Sequence, residues 1–247
     1  MKLGAQLYTV REHCQNLDDF SATLKKVADI GYKYVQVSGT CEFPAEWLKQ
    51  ELQKNSLECV LTHDIRDQIE NETQKLIDEH KIYDCDTIGI GWYTIHETGI
   101  DEFEGRYRKA AELIKKSGLK LAYHNHDHEF IKDESGKTYM QQLCERFSED
   151  ELGLIVDTYW VQAAGGDPAD FIDKNASRIK HVHLKDMGYK GMMLPVGSGN
   201  INFERILEVC QKHGIEHMIV EQDNSNGEDP FECLKKSYDY LMSTGLF

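Results

Sequence analysis

One unit recurs along this chain and constrains its fold more than any other feature. A short apolar run is followed by a longer segment with helical spacing, and then by the next run. The runs are Leu3–Tyr8, Tyr34–Val37, Glu58–Thr62, Thr87–Ile90, Leu119–Tyr123, Gly153–Val156, Ile179–Leu184 and His217–Val220. They are mostly continuous rather than alternating, as expected of strands covered on both faces in a parallel sheet. Between them, Phe20, Leu24, Val27 and Ala28 recur at helical spacing before Gly31. Phe103, Tyr107, Ala110, Ala111 and Ile114 do so before Gly118, and Ile201, Phe203, Ile206, Val209 and Cys210 before Gly214. Each glycine is a helix-ending signal. The junctions DIGYKYVQV, KSGLKLAY and KHGIEHMIV reuse one connection. Eight such units in 247 residues match an α/β fold of one domain over residues 1–247, a (β/α)8 TIM barrel. A doubly wound sheet would usually have fewer strands and a Gly-rich phosphate turn after the first. Here the first run lies in GAQLYTVRE, with neither GxGxxG nor a Walker motif.

Catalytic groups of such barrels lie at the carboxyl ends of the strands. The runs end, in order, near Gln6 and Tyr8; Gln36 and Ser38; His63 and Asp64; Trp92 and Tyr93; His124, Asn125 and His126; Asp157; His183 and Lys185; and Glu221. The fifth to eighth runs thus each end in a possible metal ligand. Imidazole with carboxylates suits a divalent ion such as Mn²⁺, Co²⁺, Zn²⁺ or Mg²⁺, with room left for substrate oxygens. Plainer readings stand beside these. Asp157 would also cap the next helix, His183 would also serve as a core histidine, and Glu221 or Lys185 as a surface charge. His63 is balanced between pocket and packing. His124, His126 and His128 alternate, so at least one is expected in solvent. His181 is read as facing away from His183, and His13, His80, His96, His213 and His217 as surface residues. Gly197-Ser198-Gly199 makes a turn whose amides could face substrate, although a simple turn with Asn200 or Asn202 as helix cap is preferred. Trp92, Tyr93, Tyr159 and Trp160 are candidates to wall a sugar pocket, with barrel packing open for Trp160.

Charge narrows the partners. The formal charge of -15 disfavours nucleic acid and anionic membranes, and no apolar run approaches the ~20 residues of a membrane span. The first residues lack a signal peptide's apolar core. Seven scattered cysteines without CxxC spacing fit a reducing cytoplasm.

The stretches GAQLYTVRE, IGYKYVQVSG, AYHNHDHEF, LIVDTYWVQAAGGDP, RIKHVHLKD, PVGSGNINFERIL and MIVEQD, in this order, resemble the sugar phosphate isomerase/epimerase superfamily of xylose-isomerase-like TIM barrels. The resemblance covers nearly the whole chain. It implies one divalent ion held by His124, Asp157, His183 and Glu221. Two departures stand out. Ketose epimerases of this family have a glutamate where His124 stands, pairing with the strand 8 glutamate as a two-base shuttle, and a glutamate is common at Gln36. YHNH is closer in look to the inosose dehydratase branch. The expected chemistry is proton removal α to a carbonyl through an enediolate. Glu221 is the first choice of base, and Glu129 would bind a hydroxyl or act as the opposite acid. Lys185 would hold an oxyanion or phosphate, and His63, His126 and Trp92 would contact substrate. The reading is a cytoplasmic isomerase or epimerase of a sugar, keto-sugar or sugar phosphate, modestly ahead of a lyase of a keto-cyclitol or keto-sugar. A small carbohydrate is the partner, and a homodimer is left open. A non-catalytic sugar-binding barrel is a further alternative. An AP endonuclease, which shares this barrel, would need more ligands on strands 2 to 4 and a basic groove; Gln36 and the charge speak against it.

Overall fold

Eight parallel strands close into a ring in the computed structural model of the chain, which describes residues 1–64 and 66–247. They are β1 (Lys2–Gln6), β2 (Tyr34–Val37), β3 (Glu58–Asp64), β4 (Thr87–Ile90), β5 (Lys120–His124), β6 (Gly153–Asp157), β7 (Ile179–Leu184) and β8 (His217–Val220). They follow one another round the ring, and β8 pairs with β1 in the register Lys2↔His217 to Ala5↔Val220. This is the (β/α)8 barrel. Strand boundaries differ from the apolar runs only at their ends. Leu7 and Tyr8 leave β1 for a short 3₁₀ turn, Leu7–His13. The strands β3, β5 and β6 reach further, to Asp64, His124 and Asp157. Asp64, His124 and Asp157 are therefore on the strands themselves, which fixes their directions.

Two apolar layers hold the barrel. Val60, Leu61, Ala122, Ile155 and Ile219 fill its inside, and a larger cluster, including Phe20, Leu24, Val27, Phe103, Tyr107 and Ile114, packs the helices onto the sheet. The helix Leu17–Ile30 shows how sequence sets an element's length. Asn16 accepts from the Asp19 amide at 2.9 Å and starts it. Gly31, at φ +125°, ends it, and a Cβ there would lie 2.4 Å from the Tyr238 hydroxyl. Among the described residues no helix is long and apolar enough to cross a membrane. All seven cysteines are free thiols.

Three histidines depart from expectation. His181 does not face away from His183: residues two apart on a strand share a face, and both point into the barrel. At its amino-terminal end, the His181 and His217 rings stack at 4.8 Å and 13°. The His181 Nε2 lies 3.0 Å from the Val60 carbonyl, and neither His217 nitrogen has a partner among the described residues. His80, expected at the surface, is fully buried between helix and sheet.

Burial, with Lys180 and Lys2 nearby, pushes the His217 imidazole down to about 4. An unfolded histidine titrates near ~6.5. Below that pH the unfolded chain binds a proton that the folded chain refuses, so stability falls with pH until the folded value is reached. Between pH 7 and 5.5, His217→Gln should lose about 1 kcal/mol less stability than the parent chain. Urea unfolding at the two pH values checks this, and equal losses in both proteins would contradict it.

Candidate functional site

Four neighbouring strands, β5 to β8, bring His124, Asp157, His183 and Glu221 together. One ligand atom from each lies within 4.8 Å of all the others, and all four residues are buried. His124 Nε2 is 3.3 Å from Asp157 Oδ2 and 3.8 Å from Glu221 Oε2. His183 Nδ1 and Glu221 Oε2 are 2.7 Å apart, yet not aligned as a hydrogen bond, and each lacks another partner. The orientation of His183 explains this. Its Nε2 meets Gln36 Oε1 at 2.7 Å and so donates, which leaves Nδ1 as a lone pair facing a carboxylate oxygen. Converging buried lone pairs are costly unless a cation joins them. The residues therefore fit a divalent ion, and two imidazoles with two carboxylates are a borderline donor set suited to a first-row metal. Asp157 serves two readings at once. Its Oδ1 accepts from the Trp160 amide at 3.1 Å, capping the helix Thr158–Ala163, while Oδ2 faces His124.

Charge around the cluster is balanced by one buried ammonium. Lys185 is 1% exposed; its Nζ lies 2.5 Å from Asp223 Oδ2 and 3.5 Å from Asp157 Oδ2. Burial works to strip its proton, but Asp157, Glu221 and Asp223 outweigh that and hold the proton more tightly than usual. Glu221 is the mirror case. Burial works to raise it, and Lys185, His183 and His124 overcome this, so the carboxylate titrates well below its usual range. Burial and Glu221 push Asp223 up to about 6. Burial and His183 push His124 down to about 3, and burial and His124 push His126 down to about 2. Both rings are neutral at pH 7, with lone pairs available.

A cavity of about 460 Å³ opens over the cluster, and His63, Trp92, His126 and Lys185 line it together with His124 and Glu221. The His63 ring sits 5.2 Å from His124 and 5.7 Å from His183. Gly91 makes this possible, since a Cβ there would lie 2.7 Å from His63 Nδ1. Trp92 is 47% exposed at the mouth and stands edge-on to His126 at 4.4 Å. Trp160 lines the wall, whereas Tyr93 turns inward onto Phe103 and Tyr107. A larger recess, about 630 Å³, opens at the other end of the barrel beside Lys2, Lys180 and His217. The ligand set lies at the carboxyl end, where barrel enzymes carry their chemistry.

Two expectations, on Glu129 and on the His124, His126 and His128 series, are corrected, and the preferred simple turn at Gly197-Ser198-Gly199 is borne out. Glu129 does not line the cavity. The chain turns into a 3₁₀ segment at His128–Phe130 and carries its side chain inward. One oxygen accepts from the Tyr123 hydroxyl at 2.6 Å and lies 3.0 Å from His128 Nε2; the other accepts from the His126 amide at 2.7 Å. His124, His126 and His128 are all buried; the same turn, covered by Trp92, keeps water from them. The amides of Gly197 and Gly199 do not face the cavity. They donate to Asp186 at 2.9 and 2.7 Å, and Asn202 caps the next helix. The sequence reading missed Asp223 as a partner of Lys185. Its only signal was its position two residues beyond Glu221, past the end of β8. Tyr8, Ser38 and Asp64, at the ends of their apolar runs, also line the cavity.

Residues 24–243 match the family model of the xylose isomerase-like TIM barrel. The chain belongs to that family. Its relatives include the inosose dehydratase of Clostridium perfringens, 23% identical over 90% of this chain and 89% of that protein. Another is the inosose dehydratase of Lacticaseibacillus casei, 27% identical over 60% of this chain and 53% of that protein. Among solved structures, a sugar phosphate isomerase/epimerase of Parabacteroides distasonis superposes with a TM-score of 0.83 at 20% identity, covering 99% of this chain and 94% of that one. At that identity the likeness is one of fold.

Proposed function

We propose that the chain is a metal-dependent lyase of a keto-cyclitol or keto-sugar, which removes a proton α to the carbonyl and expels a hydroxyl from the β-carbon. The observation that carries this reading is the asymmetry of the cavity. Glu221 has a buried oxygen open to the centre, while the strand 5 position, where a second carboxylate would complete a two-sided shuttle, is the neutral His124. Inverting a carbon calls for a proton acceptor on one face and a donor on the other; elimination asks for one base and an acid at the leaving oxygen. The alignment with an inosose dehydratase over most of both chains supports the same reading.

His124, Asp157, His183 and Glu221 would hold the ion. When bound, it supplies Lewis-acid polarisation of a carbonyl and charge for a neighbouring oxygen. Glu221 takes the α-proton. Lys185 keeps its charge under the floor of the cavity and offsets the carboxylates. A volume of about 460 Å³ holds a single sugar or cyclitol ring. The free thiols fit a reducing, cytoplasmic setting. Isomerisation or epimerisation is the second reading, in which Glu221, whose buried oxygen opens to the centre, would itself return the proton to the neighbouring carbon.

Incubating the Mn²⁺-loaded protein with inosose in D₂O separates the two. The lyase reading expects deuterium at the α-carbon of recovered substrate and a product lighter by one water. A product of unchanged mass apart from deuterium would replace it with the isomerase reading. Absence of both exchange and product would sink proton abstraction from this substrate.

A further inference from the structure

The proposed elimination needs an acid at the leaving hydroxyl, and Glu129 is not in the cavity to supply it. The strand β3 offers another carboxylate. Asp64 lines both the main cavity and an adjoining recess of about 360 Å³. Behind it stands a chain of hydrogen bonds. The Thr62 hydroxyl meets Asp64 Oδ2 on one side and His80 Nε2, at 2.8 Å, on the other. His80 Nε2 is itself 3.5 Å from Asp64 Oδ2. The other ring nitrogen, Nδ1, lies 2.7 Å from the Leu76 carbonyl and 3.0 Å from the Tyr83 hydroxyl.

These contacts fix the proton count. A carbonyl 2.7 Å away only accepts, so Nδ1 carries a hydrogen. If Nε2 is bare, it takes the Thr62 hydrogen; the Thr62 oxygen must then accept from Asp64, which has to be a protonated carboxyl. If Nε2 carries a hydrogen, it donates to Thr62, and Thr62 donates to an Asp64 carboxylate. Either way one extra proton is shared along the chain. An ionised Asp64 beside a neutral His80 would leave two lone pairs facing each other or a buried group unpaired. Glu42, Lys75 and Glu79 face this region from the adjoining recess, together with Tyr83.

We infer that Asp64 is the catalytic acid of the β3 wall, with Thr62 and His80 as positioning residues that keep one proton shared with it. This rests on the lyase reading. In the step, the α C–H bond breaks and its proton passes to Glu221. The C–C double bond forms as the β C–O bond breaks, and the oxygen leaves as water with the Asp64 proton. Asp64, partly open to the cavity, regains a proton from solvent, and Glu221 releases one.

Two measurements test the inference. With inosose and Mn²⁺ in D₂O, Asp64→Asn should keep α-deuterium exchange and lose water elimination by ~10²-fold or more. Thr62→Val, nearly isosteric, should lose elimination by a smaller factor and shift its pH profile. Exchange and elimination both intact in Asp64→Asn would overturn the role of Asp64 while sparing the proton-abstraction reading. Neither exchange nor elimination in the parent protein would overturn that reading instead. The second measurement needs no turnover. In ¹⁵N spectra at pH 7, the His80 Nε2 resonance should move on Thr62→Val and on Asp64→Asn, because the hydrogen-bond chain that ends on it is rebuilt. An Nε2 resonance identical in all three proteins would overturn the shared proton whatever the substrate.

Discussion

Glu221→Gln is expected to leave the barrel folded and to lower turnover by ~10²-fold or more. Glutamine keeps the shape and one oxygen but cannot take a proton. Lys185 retains Asp157 and Asp223 as partners in the variant, so its charge stays compensated. The loss is measured at saturating Mn²⁺, because a neutral ligand weakens metal binding as well. α-Deuterium exchange into recovered substrate should fall with turnover. Exchange that survives unimpaired in Glu221→Gln would show that another group is the base.

Lys185→Met is expected to produce the largest loss of stability of any single change at the site, roughly 3–5 kcal/mol in metal-free protein. Methionine fills much of the lysine's volume but leaves Asp157, Asp223 and Glu221 clustered with no buried cation among them. Their mutual repulsion then favours proton uptake, and without Lys185 to lower it Asp223 titrates above the parent's value of about 6, so the loss should shrink as the pH is lowered toward that value. A divalent ion supplies the missing positive charge, so Mn²⁺ should raise the melting temperature more in the variant than in the parent. Equal melting temperatures for the two metal-free proteins would show that Lys185 is not the counter-charge that the geometry implies.

How much of this was legible in the sequence follows from where each signal resides. The strands were readable because they are buried on both faces and appear as continuous apolar runs. Their ends were readable for the same reason, which is why His124, Asp157, His183 and Glu221 could be picked out before their side chains were seen to converge. Gln36, read as a departure from the family, acquires a physical role as the acceptor that turns His183 Nδ1 inward. What was lost lies where the chain folds back on itself. Glu129 has the spacing of a cavity residue, but a turn of 3₁₀ helix swings it into Tyr123 and His128. His80 sits on a helix in a run that reads as polar, and only the packing of that helix on β3 brings it to Thr62. His181 was an error of period rather than of information, since residues two apart on a strand share a face. The buried His181–His217 stack at the amino-terminal end follows from the barrel's closure through β7, β8 and β1, and no local pattern signals it.

The central claim is that four strand-end side chains form one metal centre. The direct measurement is anomalous diffraction from a crystal grown without chelator and soaked in Mn²⁺. The account predicts a single strong peak among His124, Asp157, His183 and Glu221, lost in Asp157→Ala. A fully loaded crystal with no peak there, or with its only peak in the recess beside Lys2 and His217, would contradict it.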